Sequence, residues 1–187
     1  MLATMKNALL LCACFGFSGC ASQPIKVACP ESSLPMRWLH AIEMEDWDTM
    51  GSLLHADAVY DDPTMAYFGD GPIHLMGRDS IVEFWRQSDE ESGSRYMEYE
   101  VPFCFESADL FVINAVIHLE VGGAYWKVAR EYLPLTSAQT TILNTKDGKI
   151  THVVDYVDYG SAIRQIEALR VQYGETPNAQ GSLGEGD

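Results

Sequence analysis

Asp155 is the residue in this sequence best suited to do chemistry. It lies in Ile150-Thr151-His152-Val153-Val154-Asp155-Tyr156-Val157, a segment whose alternation reads as a strand. Thr151, Val153 and Asp155 fall on one face of that strand, and Ile150, His152, Val154 and Tyr156 on the other. A carboxylate among apolar side chains is poorly solvated when ionised. Its pKa therefore rises toward the range useful for general acid or base work. The partners of Asp155 depend on register. Counting a two-residue hairpin across Gly122-Gly123 puts Arg130 and Tyr132 on the face of Ile113 and Ala115. Counting across Asp147-Gly148 sets Asp155 opposite Thr140, so Thr140, Tyr132, Arg130 and Asp155 share a face if the strand between has no bulge. A bulge near Pro134 would bring His118 to that face instead. The structural alternatives are a salt bridge for Arg130 or Asp155, core packing for Tyr132 and an ordinary sheet position for His118.

The elements that must hold these residues follow from periodicity. Met36 to Glu45 is helical, with Trp38, Ala41 and Ile42 inward. Asp48 is a candidate cap for a second short helix carrying Met50, Leu53 and Leu54. Ala58-Val59-Tyr60 is a short strand, ended by Pro63, which lacks a ladder donor. Ser80 to Glu83 matches a capping box and opens a helix with Ile81, Phe84 and Trp85 on its inner stripe. After Gly93 the period becomes 2. Met97, Tyr99, Val101, Phe103 and Phe105 form one buried face, and Pro102 marks an edge strand or a bulge. Further strands run from Phe111, from Tyr125 to Leu135, over 140–145 and from Ile150. A last helix follows over 161–173, with Asp158 as its cap. Helices first and strands afterwards predict an α+β domain over residues 34–173 built on an antiparallel meander. Both faces of the last strand are largely apolar, so a second copy of the chain is expected to cover the outer one.

Two stretches together resemble the SnoaL-like branch of the nuclear transport factor two superfamily. One is Asp46-Trp47-Asp48, Leu53-Leu54, Ala56-Asp57-Ala58-Val59-Tyr60-Asp61-Asp62-Pro63 and Gly77-Arg78-Asp79. The other is Asp147-Gly148-Lys149-Ile150 with Val154-Asp155-Tyr156-Val157-Asp158. The resemblance covers most of residues 36–165. It implies a cone, with a bent antiparallel sheet wrapped on helices, an apolar pocket at the open end and often a dimer through the outer sheet face. It also implies that Tyr60 and Val153 line that pocket. In limonene-epoxide-hydrolase-like members the acid of the matching Asp-Tyr-x-Asp segment is a catalytic carboxylate, a role that falls on Asp155. The Arg-x-Asp pattern of those hydrolases is absent, and a gapless match puts Val116 and His118 in its place. The fold serves many chemistries and some non-enzymes. Two expectations follow. One is a cofactor-free isomerase, hydrolase or dehydratase acting on a small hydrophobic substrate. The other is a non-catalytic module that binds a hydrophobic ligand or a protein partner.

Other chemistries find no footing. The five histidines lack metal-ligand spacing, and no cysteine pair past residue 20 has zinc spacing. No nucleophile elbow, phosphate-binding loop or dinucleotide fingerprint occurs. The 187 residues carry 12 Lys and Arg against 27 Asp and Glu, a net charge of −15, which argues against nucleic acid as a partner.

The N-terminus reads as an export signal. One lysine, Lys6, precedes the apolar run Ala8 to Phe17, which is shorter than the roughly 20 residues that span a bilayer. Phe17-Ser18-Gly19-Cys20-Ala21 resembles a bacterial lipobox, with Phe17 where an aliphatic residue is usual. It predicts residues 1–19 as a cleaved signal and Cys20 as the lipidation site. The protein would then be a cell-envelope lipoprotein, held in the outer membrane by a lipid on Cys20 and facing the periplasm. Ordinary cleavage after Ala21 would instead release a soluble periplasmic or secreted protein. Residues 20–33 read as a linker and 174–187 as a disordered tail. Cys29 and Cys104 could pair in an oxidising compartment, or stand as a linker cysteine and a buried strand cysteine.

Overall fold

The computed structural model describes residues 29–68 and 71–175. The expected signal, Cys20 and the far end of the tail lie outside them. Helix α1 (Leu34–Glu43) buries Trp38, Leu39, Ala41 and Ile42 along one face. Helix α2 (Trp47–Leu53) is capped by Asp46 rather than Asp48, since the Asp46 carboxylate accepts Thr49 N–H at 2.9 Å. Strand β1 (Leu54–Asp62) is longer than expected, ends at Pro63 as predicted, and leads into a 3-10 turn over Pro63–Phe68. Strand β2 (Ile73–Met76) falls in what reads as loop. Helix α3 (Arg78–Ser92) starts at Gly77, so the Ser80–Glu83 capping box does not form. Glu83 pairs with Arg86 instead, at 2.7 Å. Ile81, Phe84 and Trp85 face inward as predicted.

Strands β3 (Tyr96–Ser107), β4 (Leu110–Gly122), β5 (Tyr132–Lys146) and β6 (Lys149–Val157) make the antiparallel meander, and helix α4 (Tyr159–Tyr173) closes the chain. Asp158 caps α4 through Ser161 N–H at 2.9 Å, as its position predicts. The sheet order is β2-β1-β6-β5-β4-β3. The β1–β6 pairing is parallel, so the sheet is mixed. The fold is α+β. One core lies between the inner sheet face and α1 to α3, centred on Trp38, Met50, Ile81, Leu143 and Val153. A smaller one joins Val121, Val128, Leu133 and Leu135 to Ile166 of α4.

Three irregularities set which residues face inward. In edge strand β3 the register shifts between Glu100 and Phe103, around Pro102. Tyr99 and Cys104 therefore point in, and Phe103 and Phe105 go to the other face. Between β4 and β5 the turn is not a two-residue hairpin. Gly122 pairs with Tyr132, and residues 123–131 form a loop. Neither Gly122 nor Gly123 has a positive φ. Gly123 is required for a close approach instead, since a Cβ there would lie 1.7 Å from the Arg130 carbonyl oxygen. Between β5 and β6, Asp147 and Gly148 do take the positive φ that a tight hairpin needs (51° and 73°). Just beyond, the pairing runs Thr145 to Ile150 and then Asn144 to His152, leaving Thr151 as an extra residue. That bulge turns Ile150 inward beside Val153 and Asp155, and moves every later pair by one position.

Cys29 and Cys104 form a disulfide with Cα atoms 5.4 Å apart, tying the segment before α1 to β3. Gly174 and Glu175, expected in the tail, lie against the 123–131 loop. Ala129 N–H donates to the Gly174 carbonyl at 2.9 Å, and Val128 pairs with Glu175. No helix among the described residues is long and apolar enough to cross a membrane.

Candidate active site

The shifted register assembles a polar cluster inside the sheet. Thr141 sits opposite Asp155, and Gln139 opposite Val157. The parallel pairing places Tyr60 of β1 beside Val153 of β6. Asp155 is 1% exposed and is held by three side-chain donors. Thr141 O–H donates to Oδ1 at 2.5 Å, Gln139 Nε2–H to the same oxygen at 2.8 Å, and Tyr60 O–H to Oδ2 at 3.0 Å. Gln139 also donates to Thr141 Oγ1 at 2.7 Å, which orients the threonine proton toward the carboxylate. Oδ1 thus receives two bonds and Oδ2 one. An ionised carboxylate offers about four acceptor positions, so Oδ2 keeps capacity for a further proton.

Burial is the largest influence on the Asp155 carboxyl and pushes its pKa up. The Thr141, Tyr60 and Gln139 bonds oppose that shift and the charge of Asp62 adds to it, leaving a value of about 6. At neutral pH the group is mostly ionised yet basic enough to take a proton. Burial also pushes the Tyr60 phenol well above its ordinary value, so Tyr60 stays protonated as a donor.

The cluster borders a cavity of about 940 Å³ between the inner sheet face and helices α1, α3 and α4. Asp155, Tyr60 and Gln139 belong to its wall, with Phe84, Trp85, Ile117, Leu119 and Ile166 supplying apolar surface. The exposed lining residues Met44, Tyr96 and Tyr125 mark its mouth. Such a volume, mostly apolar with a few convergent polar groups, suits a small organic molecule.

The other predicted site residues lie elsewhere. Arg130 is exposed in the 123–131 loop, where its guanidinium stands 5.0 Å from the centre of the Tyr173 ring. Tyr132 begins β5 at the far end of the sheet, under the Arg95 guanidinium at 4.0 Å. Their placement beside Asp155 rested on the two-residue turn, which the longer loop replaces. His118 is on the outer face, 3.4 Å from Thr136 Oγ1 and 3.5 Å from Glu100. No register shift occurs near Pro134 to turn it inward. Thr140, expected opposite Asp155, points outward and bonds Asn114 at 2.9 Å. Val153 is fully buried in the core and does not belong to the cavity wall.

The sequence reading missed Gln139 and Thr141 because both depend on the bulge at Thr151. It also missed Asp62, a second buried carboxylate. Asp62 accepts Thr64 N–H at 2.9 Å, Met65 N–H at 3.0 Å and the Thr64 hydroxyl at 2.5 Å, and the Tyr159 hydroxyl at 2.6 Å. Its position before Pro63 was the available signal, since an aspartate there can close an Asx turn. On the outer face Asp61 bridges His74 at 2.7 Å and His152 at 2.6 Å. Among the described residues no group of three or more His, Cys, Asp or Glu is arranged to hold a metal ion.

Comparison with known proteins places this geometry. The sequence model of the SnoaL-like domain matches residues 36–153. No curated protein matches the chain. Among solved structures, a candidate SnoaL-like polyketide cyclase from Shewanella denitrificans OS-217 superposes with a TM-score of 0.63 at 21% identity, over 72% of this chain and 95% of that one. A second, from Shewanella putrefaciens CN-32, gives 0.64 at 17% identity, over 75% and 99%. An epoxide hydrolase of M. tuberculosis resembling limonene epoxide hydrolase gives 0.56 at 19% identity, over 74% and 90%. At these identities the likeness is one of fold. The family match spans most of the chain, and the protein belongs to the SnoaL-like domain family.

Proposed function

We propose that this protein is an acid–base enzyme for a small, mainly apolar molecule, with Asp155 as the proton-transferring group. The observation that carries this reading is a carboxylate that is buried, faces a large apolar cavity, and has its pKa raised to about 6. Asp155 would take a proton from the bound molecule on Oδ2. Returning that proton to a second atom completes an isomerisation, and attack of the resulting carbanion within the same molecule closes a ring. Both need only a base held at one place in a water-poor pocket. Hydrolysis or dehydration would use the same carboxylate on water or on a hydroxyl-bearing carbon. Gln139 and Thr141 fix its orientation, and Tyr60 loads only one oxygen. The test is turnover of a panel of apolar ketones and epoxides by wild type and Asp155→Asn. Loss of turnover with ligand binding kept supports the reading. Equal turnover by the two proteins rejects it.

The second reading is a non-catalytic module that holds a hydrophobic ligand or a protein partner. It is favoured by the near-complete enclosure of Asp155 and by three donors already satisfying it. Export belongs to either reading. The Cys29–Cys104 disulfide supports an oxidising compartment, and a lipid on Cys20 would hold the protein at the envelope. A second copy would pack on the outer face, where Phe105 and Tyr156 are exposed.

A further inference from the structure

The polar groups near Asp155 can be sorted by where their protons go. Tyr60 O–H is given to Asp155, and Tyr159 O–H to Asp62. Both Gln139 amide protons go to Asp155 and Thr141, and Thr141 O–H goes to Asp155. Ser137 O–H goes to the Asp158 carbonyl at 3.0 Å. The Trp85 indole N–H is sealed away from any open surface. Tyr99 differs. It is 8% exposed, belongs to the cavity wall, and lies within electrostatic reach of Asp155. Its backbone N–H bonds Glu43 at 2.7 Å, yet its hydroxyl has no partner among the described residues and is not sealed from the cavity. A buried hydroxyl of this kind calls for an explanation, since such groups are normally paired.

The geometry points to Tyr99 as the hydrogen-bond donor for the ligand, and so to a ligand that carries an acceptor oxygen, such as a ketone, beside the atom facing Asp155. This rests on the acid–base reading and narrows its substrate class. Tyr99 keeps its proton, because burial and the charges of Asp155 and Glu43 push its pKa up. When Asp155 removes the proton from the carbon next to a carbonyl, the C–H electron pair becomes the new C=C bond. The carbonyl π pair moves onto oxygen, and the Tyr99 hydroxyl bonds that developing oxyanion. The proton rests on Asp155 until it is returned to the product. Tyr99 reaches the inner face only because the register shift at Pro102 follows it and leaves Tyr99 in phase with Ile117.

The test compares two probes of nearly equal shape, 2-acetylnaphthalene and 2-isopropenylnaphthalene, by tryptophan fluorescence titration of wild type, Tyr99→Phe and Asp155→Asn. Wild type is expected to prefer the ketone by about twofold to tenfold, the value of one neutral hydrogen bond. Tyr99→Phe should lose that preference while binding the hydrocarbon as before, and Asp155→Asn should keep it. A preference unchanged in Tyr99→Phe, or none in wild type, overturns the assignment and leaves the acid–base reading standing. Failure of wild type to bind either probe overturns both. Should Tyr99→Phe not fold, the isotope-edited carbonyl stretch of the ketone bound to wild type decides. A stretch lowered from its value in hexane supports the bond, and an unchanged one refutes it.

Discussion

Asp155 and Asp62 are both 1% exposed and sit on neighbouring strands, yet they are built differently. Asp62 closes the end of β1. Two of its four donors are backbone N–H groups of the turn it heads, and it does not belong to the cavity wall. Asp155 is held only by side chains, all from other strands, and it borders the cavity. The first arrangement fixes a chain direction. The second fixes the orientation of a carboxylate while leaving part of it uncommitted. Burial alone does not mark a functional acid; the source of its donors and the space beside it do.

Substitutions should separate the two. Asp155→Asn is expected to cut turnover by about 10²- to 10⁴-fold, the usual reach of general-base catalysis, in initial-rate assays on any substrate found. Asp62→Ala should act on folding first. It strands two turn N–H groups and the Tyr159 hydroxyl, and should cost about 2–4 kcal/mol in urea unfolding. A folded Asp62→Ala protein with normal stability would erase the contrast. Breaking the Cys29–Cys104 bond by Cys29→Ser with Cys104→Ser should also cost about 2–4 kcal/mol in the same assay, with ligand affinity unchanged.

The raised Asp155 pKa has a definite sign in stability. Between about pH 4 and 6 the folded protein binds more protons at this carboxyl than the unfolded chain does, so the Asp155 contribution to stability falls as pH rises through that window. Wild type should therefore lose about 2 kcal/mol relative to Asp155→Asn from pH 4 to pH 7, measured as the difference between their unfolding free energies. A difference that grows in favour of wild type would contradict the raised pKa. The smallest effect is expected at Arg130→Ala, within about 0.5 kcal/mol and without change in turnover, since its guanidinium is exposed on a loop away from the cavity.

Much of the fold was legible because it rests on local signals: the 3.6-period stripe of α1, the Pro63 stop after β1, the Asp147-Gly148 hairpin, and the Asp158 cap. Asp155 was legible as an acid in an apolar strand. Its partners were not. Gln139 and Thr141 reach it only through the extra residue at Thr151, and one residue of slip sends a whole strand face to the other side. Arg130 and Tyr132 were drawn in by a diglycine read as a tight turn. The close approach of Gly123 to the Arg130 carbonyl makes it the neck of a longer loop instead. Bulges and loop closures are decided by tertiary packing, which a single sequence does not display.

The most direct measurement is a carbon-13 NMR titration of the aspartate carboxyls, with Asp155 assigned by its loss in Asp155→Asn. A midpoint near 6 is expected, with Asp155 ionised and basic at neutral pH. A midpoint at or below the ordinary aspartate value near 4 would mean that its three donors outweigh burial, and that Asp155 is a structural carboxylate rather than a base.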